Sequence, residues 1–516
     1  MRISHTLEKA LLTNSDTIAT IFNQRQQTYS QLHSRVTKLA SAFQKLGIAD
    51  NDRIALLMLT SDYSVELFYG IPWAGGVVVP LNFRLAPPEL VYLLNDSGSK
   101  VLVTDKTFAP LIPKLLPELE SVEHVIYADA GETPEGMFNY EELIDDANSI
   151  DDAGRGNDDM LGIFYTGGTT GLPKGVMVTH DNMMYQVMMG GTYLPRNGIR
   201  WFTATPMFHV TGSIPVFDTV AWHGTHILRP AFDPVDTMKS IQTHKANVTV
   251  MVPTMVNMIV NHPALEDYDL SSMELIVYGG SPMPTAIIAK SQEQLPTTEL
   301  LQAYGMTEVS GGLTFLENRD HDTSGKRVQS AGQALLGCEA KIVNLDGNEV
   351  PRKTIGEVIM TGPPVMKGYW NKPEETAKAV KNGWMHSGDA GYMDDDGYVY
   401  IVDRVKDMII SGGENVYSIE VENAIYQHPS VALCAVIGIP DDKWGEAIHA
   451  VISLKPDETV TSDAIIAHCR ERIAGYKLPR SIEFRNTASM PLSGAGKILK
   501  HQIRSTFWEG KDRRVN

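Results

Sequence analysis

The stretch Tyr165-Thr166-Gly167-Gly168-Thr169-Thr170-Gly171-Leu172-Pro173-Lys174-Gly175 puts four glycines, three threonine hydroxyls and one cation into a single short loop. Glycines let successive backbone N–H groups turn inward around an anion, and threonine and lysine add donors and charge. This composition predicts a phosphate cradle. It is not a Walker loop, because the lysine precedes the last glycine and no Ser or Thr follows it. The competing reading is a Gly/Thr-rich surface turn, and the rest of the chain decides between the two.

Outward from this loop the chain alternates extended and helical patterns. On the N-terminal side, Leu32, Val36, Leu39, Phe43 and Leu46 recur at helical spacing, and Gly47 supplies the stop. Apolar runs of strand length follow at Ile54 to Leu59, Val77 to Val79 and Val101 to Val103, with helical stretches between them. After the loop the same rhythm returns, with Val248 to Val252 and Leu275 to Tyr278 as strands. Strand and helix in alternation predict an α/β fold with mostly parallel sheets covered on both faces.

Near residue 390 the pattern changes. Gly391 to Val402 reads as a hairpin with Asp396-Gly397 at its tip, so Asp394-Asp395-Asp396 is a turn and not a calcium loop. A compact α+β pattern follows, with a helix near Ser418 to Tyr426, strands Val431 to Ile437 and Ile448 to Leu454, and a helix near residue 463. The expected division is a large domain over 1–403, a hinge at 404–406 and a small domain over 407–516.

The bulk numbers narrow the function. A chain of 516 residues is too long for one compact core. A formal net charge of −18 argues against nucleic acid or anionic lipid as a partner, but leaves room for anionic ligands held by local positive charge. Cys338, Cys434 and Cys469 are few, odd in number and far apart, which fits a reducing compartment. The first residues form no apolar signal core, and Ile71 to Pro80 is too short to span a bilayer. These features lead to the expectation of a cytoplasmic protein.

Further motifs stand in order along the chain. Gln302-Ala303-Tyr304-Gly305-Met306-Thr307-Glu308 combines an aromatic face, close-approach glycine, hydroxyl and carboxylate. Upstream lies Tyr278-Gly279-Gly280-Ser281-Pro282, with two glycines at a strand end. Downstream come Ser387-Gly388-Asp389, then Asp403-Arg404-Val405-Lys406-Asp407, and finally Pro491-Leu492-Ser493-Gly494-Ala495-Gly496-Lys497.

Together these motifs resemble the signatures of the adenylate-forming superfamily, in its acyl-CoA synthetase or fatty acid–CoA ligase form. They cover essentially the whole chain. Gly168 stands where relatives usually carry serine, and Ser387 where they usually carry threonine.

The resemblance implies a large N-terminal domain of stacked, mostly parallel sheets flanked by helices, with a small mobile α+β C-terminal domain. It implies ATP, CoA and Mg²⁺ as cofactors. Thr166, Gly167, Gly168, Thr169, Thr170, Gly171 and Lys174 would then cradle phosphate. Gly279, Gly280, Ser281, Gln302, Ala303, Tyr304, Gly305 and Met306 would surround adenine, with Tyr304 stacking on it. Thr307 would touch the α-phosphate, and Glu308 with Thr170 would hold the metal. Asp389, Ile401 and Arg404 would take the ribose side, and Lys406 would be the pivot of the hinge.

Lys497 would bridge the acyl carboxylate and the α-phosphate, where a mobile cation stabilises developing charge. His209, within Pro206-Met207-Phe208-His209-Val210-Thr211-Gly212, would sit beside the substrate carboxylate. Gly412, Gly413 and Trp444 would line a CoA tunnel. Lys477 and Arg480 divide evenly between CoA phosphates and solvated charge.

The expected reaction is ligation of a carboxylic acid to coenzyme A through an acyl-adenylate, releasing AMP and pyrophosphate. Candidate acid-pocket residues Phe202, Val210, Thr211, Val216, Thr254, Met255, Gly311, Gly312 and Leu313 are mostly small or aliphatic. They favour a medium- or long-chain fatty acid. The alternatives are an aryl or short branched acid, or amino-acid adenylation for a carrier protein. A kinase-like NTPase, which would release ADP, and an inactive nucleotide-binding module are rivals from outside that chemistry. The expected partners are these small molecules, and nothing in the sequence excludes a homodimer.

Overall fold

The structure, a computed structural model, describes residues 1–166, 172–344, 346–404, 407–412, 414–441, 443–492 and 498–509. Helix starts follow local chemistry. The Tyr29–Lys45 helix opens on a Thr28–Gln31 capping box and ends before Gly47, whose φ of +84° turns the chain away. The Asp62–Trp73 helix is buried on every side, which is why its sequence shows no polar face. Among the described residues, no helix is long and apolar enough to cross a membrane.

Two large sheets form the N-terminal region. The first runs Gly368–Tyr369, Lys174–Thr179, Met160–Thr166, Val77–Pro80, Arg53–Leu57, Ser99–Thr104, His124–Tyr127 and Phe138–Asn139. The second runs from Gln333–Ala334 through Gly311–Leu316, Glu299–Met306, Leu275–Gly279, Val248–Met251 and Arg200–Thr203 to Thr225–Leu228, Ile18–Phe22 and Arg25–Thr28. Both are parallel at the centre; the second is antiparallel at both edges, and the first only at the edge formed by Lys174–Thr179 and Gly368–Tyr369. Burial on both faces explains their near-continuous apolar runs.

Three of the central strands end at the motifs. Met160–Thr166 delivers Thr166, Leu275–Gly279 delivers Gly279, and Glu299–Met306 leads into Thr307 and Glu308. Ligands in open α/β sheets bind beyond such carboxyl ends.

A smaller antiparallel sheet contains the expected hairpin. Trp384–Met393 pairs with Val399–Arg404, and the Asp394 carboxylate accepts hydrogen bonds from the backbone N–H groups of Asp396 and Tyr398. The acidic cluster is therefore a turn. In the C-terminal region a separate sheet joins Glu414–Val416, Ile409–Ser411, Gly445–Leu454 and Val431–Asp441, with Ser481–Phe484 parallel at its edge. The Ser418–Tyr426 and Ser462–Arg470 helices pack around its own apolar cluster.

One buried polar knot ties this region to the end of the hairpin. The Ser418 N–H donates to Asp403 at 2.5 Å, while the Lys500 ammonium bonds Ser418 Oγ at 2.6 Å and pairs with Glu422 at 2.7 Å. Burial pushes the Asp403 and Glu422 carboxyls up, and Lys500 opposes that shift in both. Removing one member of such a buried pair costs about 3–5 kcal/mol, because the other charge is left uncompensated. Lys500→Met should therefore speed hydrogen exchange in the Ser418–Tyr426 helix by about 10²-fold. The double variant Lys500→Met with Glu422→Gln should recover most of that protection. Unchanged exchange in the single variant would show that the knot does not hold the helix.

Candidate active site

The strand ends open onto a cavity of about 730 Å³. Thr166 and Lys174 line it, together with Gly279, Gly280 and Ser281 and with Ala303, Gly305, Met306, Thr307 and Glu308. The two strands beside it approach closely only because particular residues are glycine. A Cβ on Gly279 would lie 2.4 Å from the Ala303 carbonyl oxygen, and one on Gly305 would lie 2.0 Å from that of Gly311.

Each candidate side chain is held by neighbours. Glu308 is nearly buried and accepts a hydrogen bond from the Tyr369 hydroxyl at 2.8 Å. The Lys174 ammonium sits 4.4 Å from the Tyr369 ring centre and 3.6 Å from Glu375. The Tyr165 hydroxyl donates to Asp96 at 2.6 Å, which fixes the strand from which Thr166 follows.

Tyr304 and Gln302 do not line the cavity. Gln302 is held by the Tyr278 hydroxyl at 3.1 Å, and the Tyr304 hydroxyl donates to Asp389 at 2.7 Å. Asp389 is in turn paired across the hairpin with the backbone of Arg404, on the same strand as Ile401, which pairs with Gly391. The nearby Ser387 Oγ accepts from the Asp389 N–H at 3.0 Å, so its hydroxyl positions the acid's backbone.

His209 stands at the N-cap position of the Val210–Ala221 helix and lines the cavity, and its Nε2 has no hydrogen-bond partner among the described residues. Burial, assisted by the nearby Arg84 charge, lowers its pKa to about 4. A carboxylate arriving there meets a neutral imidazole at physiological pH. His226 is different: its Nε2 bonds Thr203 Oγ1 at 2.7 Å inside the core, and it has no ligand role.

Several expected residues lie elsewhere. Gly412 packs against the Trp444 ring in the C-terminal sheet, and Trp444 carries the Arg480 guanidinium 4.1 Å from its ring centre. None of these lines the cavity. Lys477 is ion-paired with Glu420 at 2.6 Å. Gly167, Gly168, Thr169, Thr170, Gly171, Lys406, Gly413 and Lys497 fall outside the described residues.

The acid side of the cavity also differs from expectation. Val210, Thr211, Gly311 and Gly312 line it, but Phe202, Val216, Thr254, Met255 and Leu313 do not. Phe202 packs in a different cluster behind the sheet, whereas Trp201, one residue earlier, faces the cavity. Tyr193, Phe315, Gln186 and Asp218 also line it and carried no motif.

The matches to known proteins agree with this geometry. The model of the AMP-binding enzyme family matches residues 7–370, and that of the AMP-binding enzyme C-terminal domain matches residues 420–497. This chain belongs to the AMP-binding enzyme family. The AMP-binding enzyme described here is 38% identical over 483 residues to a feruloyl-CoA synthase of Amycolatopsis sp, covering 93% of this chain and 94% of that one. It is 36% identical over 487 residues to the long-chain-fatty-acid–CoA ligase FadD13 of Mycobacterium tuberculosis, covering 93% of each. Its fold superimposes on a crystal structure of the anthranilate CoA ligase AuaEII in complex with anthranoyl-AMP. The TM-score is 0.91 at 27% identity, with 98% and 97% of the two chains covered.

It is an acid–thiol ligase of the acyl-CoA synthetase type, with the large α/β N-terminal domain and smaller C-terminal domain of adenylate-forming enzymes. In this AMP-binding enzyme the Tyr304–Asp389 contact offers a direct test of the ribose-side assignment. Asp389→Asn should raise the dissociation constant for ATP about 10–100-fold, the loss expected for a charge-assisted hydrogen bond. Tyr304→Phe should do so by less, and a fluorescence titration of ATP reads both. Unchanged ATP affinity in Asp389→Asn would remove Asp389 from the nucleotide site.

Proposed function

We propose that this chain joins a compact, aryl-bearing carboxylic acid to coenzyme A through an acyl-adenylate. A carboxylate oxygen attacks the α-phosphorus of ATP and pyrophosphate leaves. The CoA thiolate then attacks the carbonyl carbon of the mixed anhydride, and AMP leaves with the former carboxylate oxygen. The observation that carries the choice of acid is the cavity wall built by Trp201, Tyr193 and Phe315. The aliphatic residues that favoured a fatty acid in the sequence mostly pack behind that wall. The feruloyl-CoA and anthranilate CoA relatives support an aryl acid, whereas FadD13 supports the fatty acid reading.

The roles follow from chemistry. Thr166 and Lys174 supply a hydroxyl and a cation at the phosphate side, and Thr307 a hydroxyl next to it. Among the described residues, no group of three or more His, Cys, Asp or Glu side chains converges on a metal ion. Glu308 would hold Mg²⁺, which is commonly held by one or two carboxylates together with substrate phosphates. When bound, Mg²⁺ supplies charge neutralisation on the polyphosphate. His209 stays neutral and leaves the carboxylate its nucleophilic charge. Lys497 acts in adenylation, and rotation about a pivot at Lys406 brings Gly412, Gly413 and Trp444 to the CoA side for the second step.

Assaying pyrophosphate release against aryl, arylalkenoic and fatty acids, with and without CoA, tests this reading. An aryl-bearing acid should give the highest kcat/KM, and octanoate or palmitate leading the panel would contradict the choice of acid. In the same assay Lys497→Ala should cut adenylate formation by about 10²–10³, the usual loss for one preorganised charge donor. Thioester formation from supplied acyl-adenylate should survive. Equal losses in both half-reactions would count against alternation of the two domains.

A further inference from the structure

Among the described residues, three lysines line the cavity, Lys174, Lys378 and Lys381, and no arginine joins them. Two of the three belong to one short segment, the Pro373–Ala379 helix and the Val380–Lys381 strand that continues it. Lys174 comes from far away in the chain, at the start of the Lys174–Thr179 strand.

Glu375 joins the two segments. Its Oε2 lies 3.6 Å from the Lys174 ammonium, and its Oε1 accepts a hydrogen bond from the Lys378 ammonium at 3.1 Å. That bond from Lys378 holds the Glu375 carboxyl below its ordinary value, and the Lys174 charge adds to the effect, so Glu375 is an anion at neutral pH. Glu375 itself lines the cavity. An i,i+3 pair on a helix is ordinary surface chemistry and would carry nothing alone. Here the second oxygen of the same carboxylate meets the lysine that follows the glycine- and threonine-rich loop. One anion therefore bridges two cations on the cavity wall.

The bridge continues a line of contacts that begins at a buried residue. Glu308, nearly buried, accepts a hydrogen bond from the Tyr369 hydroxyl, and the Lys174 ammonium lies against the Tyr369 ring. Side-chain exposure then rises from 29% at Lys174 to 42% at Glu375 and 71% at Lys378. The line runs from the carboxylate that would hold Mg²⁺ out to solvent. Adenylation needs such a direction, because pyrophosphate departs while AMP stays joined to the acid.

Lysine suits the task, since an ammonium group binds phosphate as a compact charge with three donors. A phosphate group, like a carboxylate, presents two charged oxygens to two ammonium groups. It can therefore take the place of the Glu375 carboxylate between Lys174 and Lys378, and the larger charge of a polyphosphate favours the exchange.

We infer that Lys174 and Lys378 form a two-cation clamp for the terminal phosphates of ATP, the part that leaves as pyrophosphate, and that Glu375 is the internal anion this phosphate replaces. The inference rests on the ligase reading above. It adds Lys378 as a phosphate-binding residue and Glu375 as a positioning residue.

The test titrates the full-length enzyme, with Mg²⁺ present, against pyrophosphate, ATP, AMP and CoA by calorimetry. Lys378→Ala should weaken pyrophosphate and ATP about 5–10-fold, between the loss for an exposed ion pair and that for a charge-assisted hydrogen bond. Glu375→Gln should tighten both about 3-fold, because the competing anion is gone. AMP and CoA should change by less than about 1.5-fold in either variant, being bound away from the clamp. Unchanged AMP affinity also shows that each variant is folded.

The opposite signs carry the test, since a pair that merely braced the helix would be broken by both variants and would shift affinity the same way. Losses in both variants, or no change in either, would overturn the clamp. AMP weakened as much as pyrophosphate would reduce the effect to the general field of the cavity and overturn it as well. Weakening confined to CoA would assign these lysines to the CoA diphosphate and overturn the assignment to ATP. If the wild type bound neither ATP nor pyrophosphate, the ligase reading would fall together with the clamp, whereas binding that ignores Lys378 and Glu375 overturns the clamp alone.

Discussion

Parallel strands joined by crossovers all end on the same side of their sheet, and this constraint organises the molecule. The Met160–Thr166, Leu275–Gly279 and Glu299–Met306 strands carry no reactive group along their buried lengths. They serve as rods that place Thr166, Gly279 and Thr307 around one opening. Their spacing depends on glycine at Gly279 and Gly305, where any side chain would meet a backbone carbonyl. The site is precise because its residues are the last positions of strands already fixed by neighbours on both sides.

A second constraint is charge. The chain carries a net −18, yet its reaction brings a carboxylate against a polyphosphate. The field of the whole protein opposes that encounter, so local groups must overcome it. Lys174 sits at the opening on the face of Tyr369, and neutral His209 adds no competing proton on the acid side. Burial also raises the carboxyl of Asp218, which lines the cavity, well above the usual carboxylate range.

The sequence made the motif residues legible because close backbone approach, hydroxyls and carboxylates must be specified locally. Gly279 and Gly305, both on the cavity, could be read without a structure for that reason. The lining of the acid cavity could not. Trp201 and Phe202 are adjacent, and both faces of their strand are buried, so no alternation of polar and apolar residues tells which faces the ligand. The same ambiguity holds for Leu313 on the Gly311–Leu316 strand, which packs in the core and not on the cavity. Asp218 did leave a signal, one acid inside the mostly apolar run Val210 to Ala221, but its burial is a property of the fold. Lys477 illustrates the converse, since its partner Glu420 lies on another element.

The central claim is that the acid's own oxygen attacks the α-phosphorus. It is tested most directly by supplying an acid labelled with ¹⁸O in its carboxylate and analysing the nucleotide product by mass spectrometry. The account predicts one labelled oxygen in the phosphate of AMP, with pyrophosphate unlabelled. Label in inorganic phosphate beside ADP, or AMP without label, would contradict it.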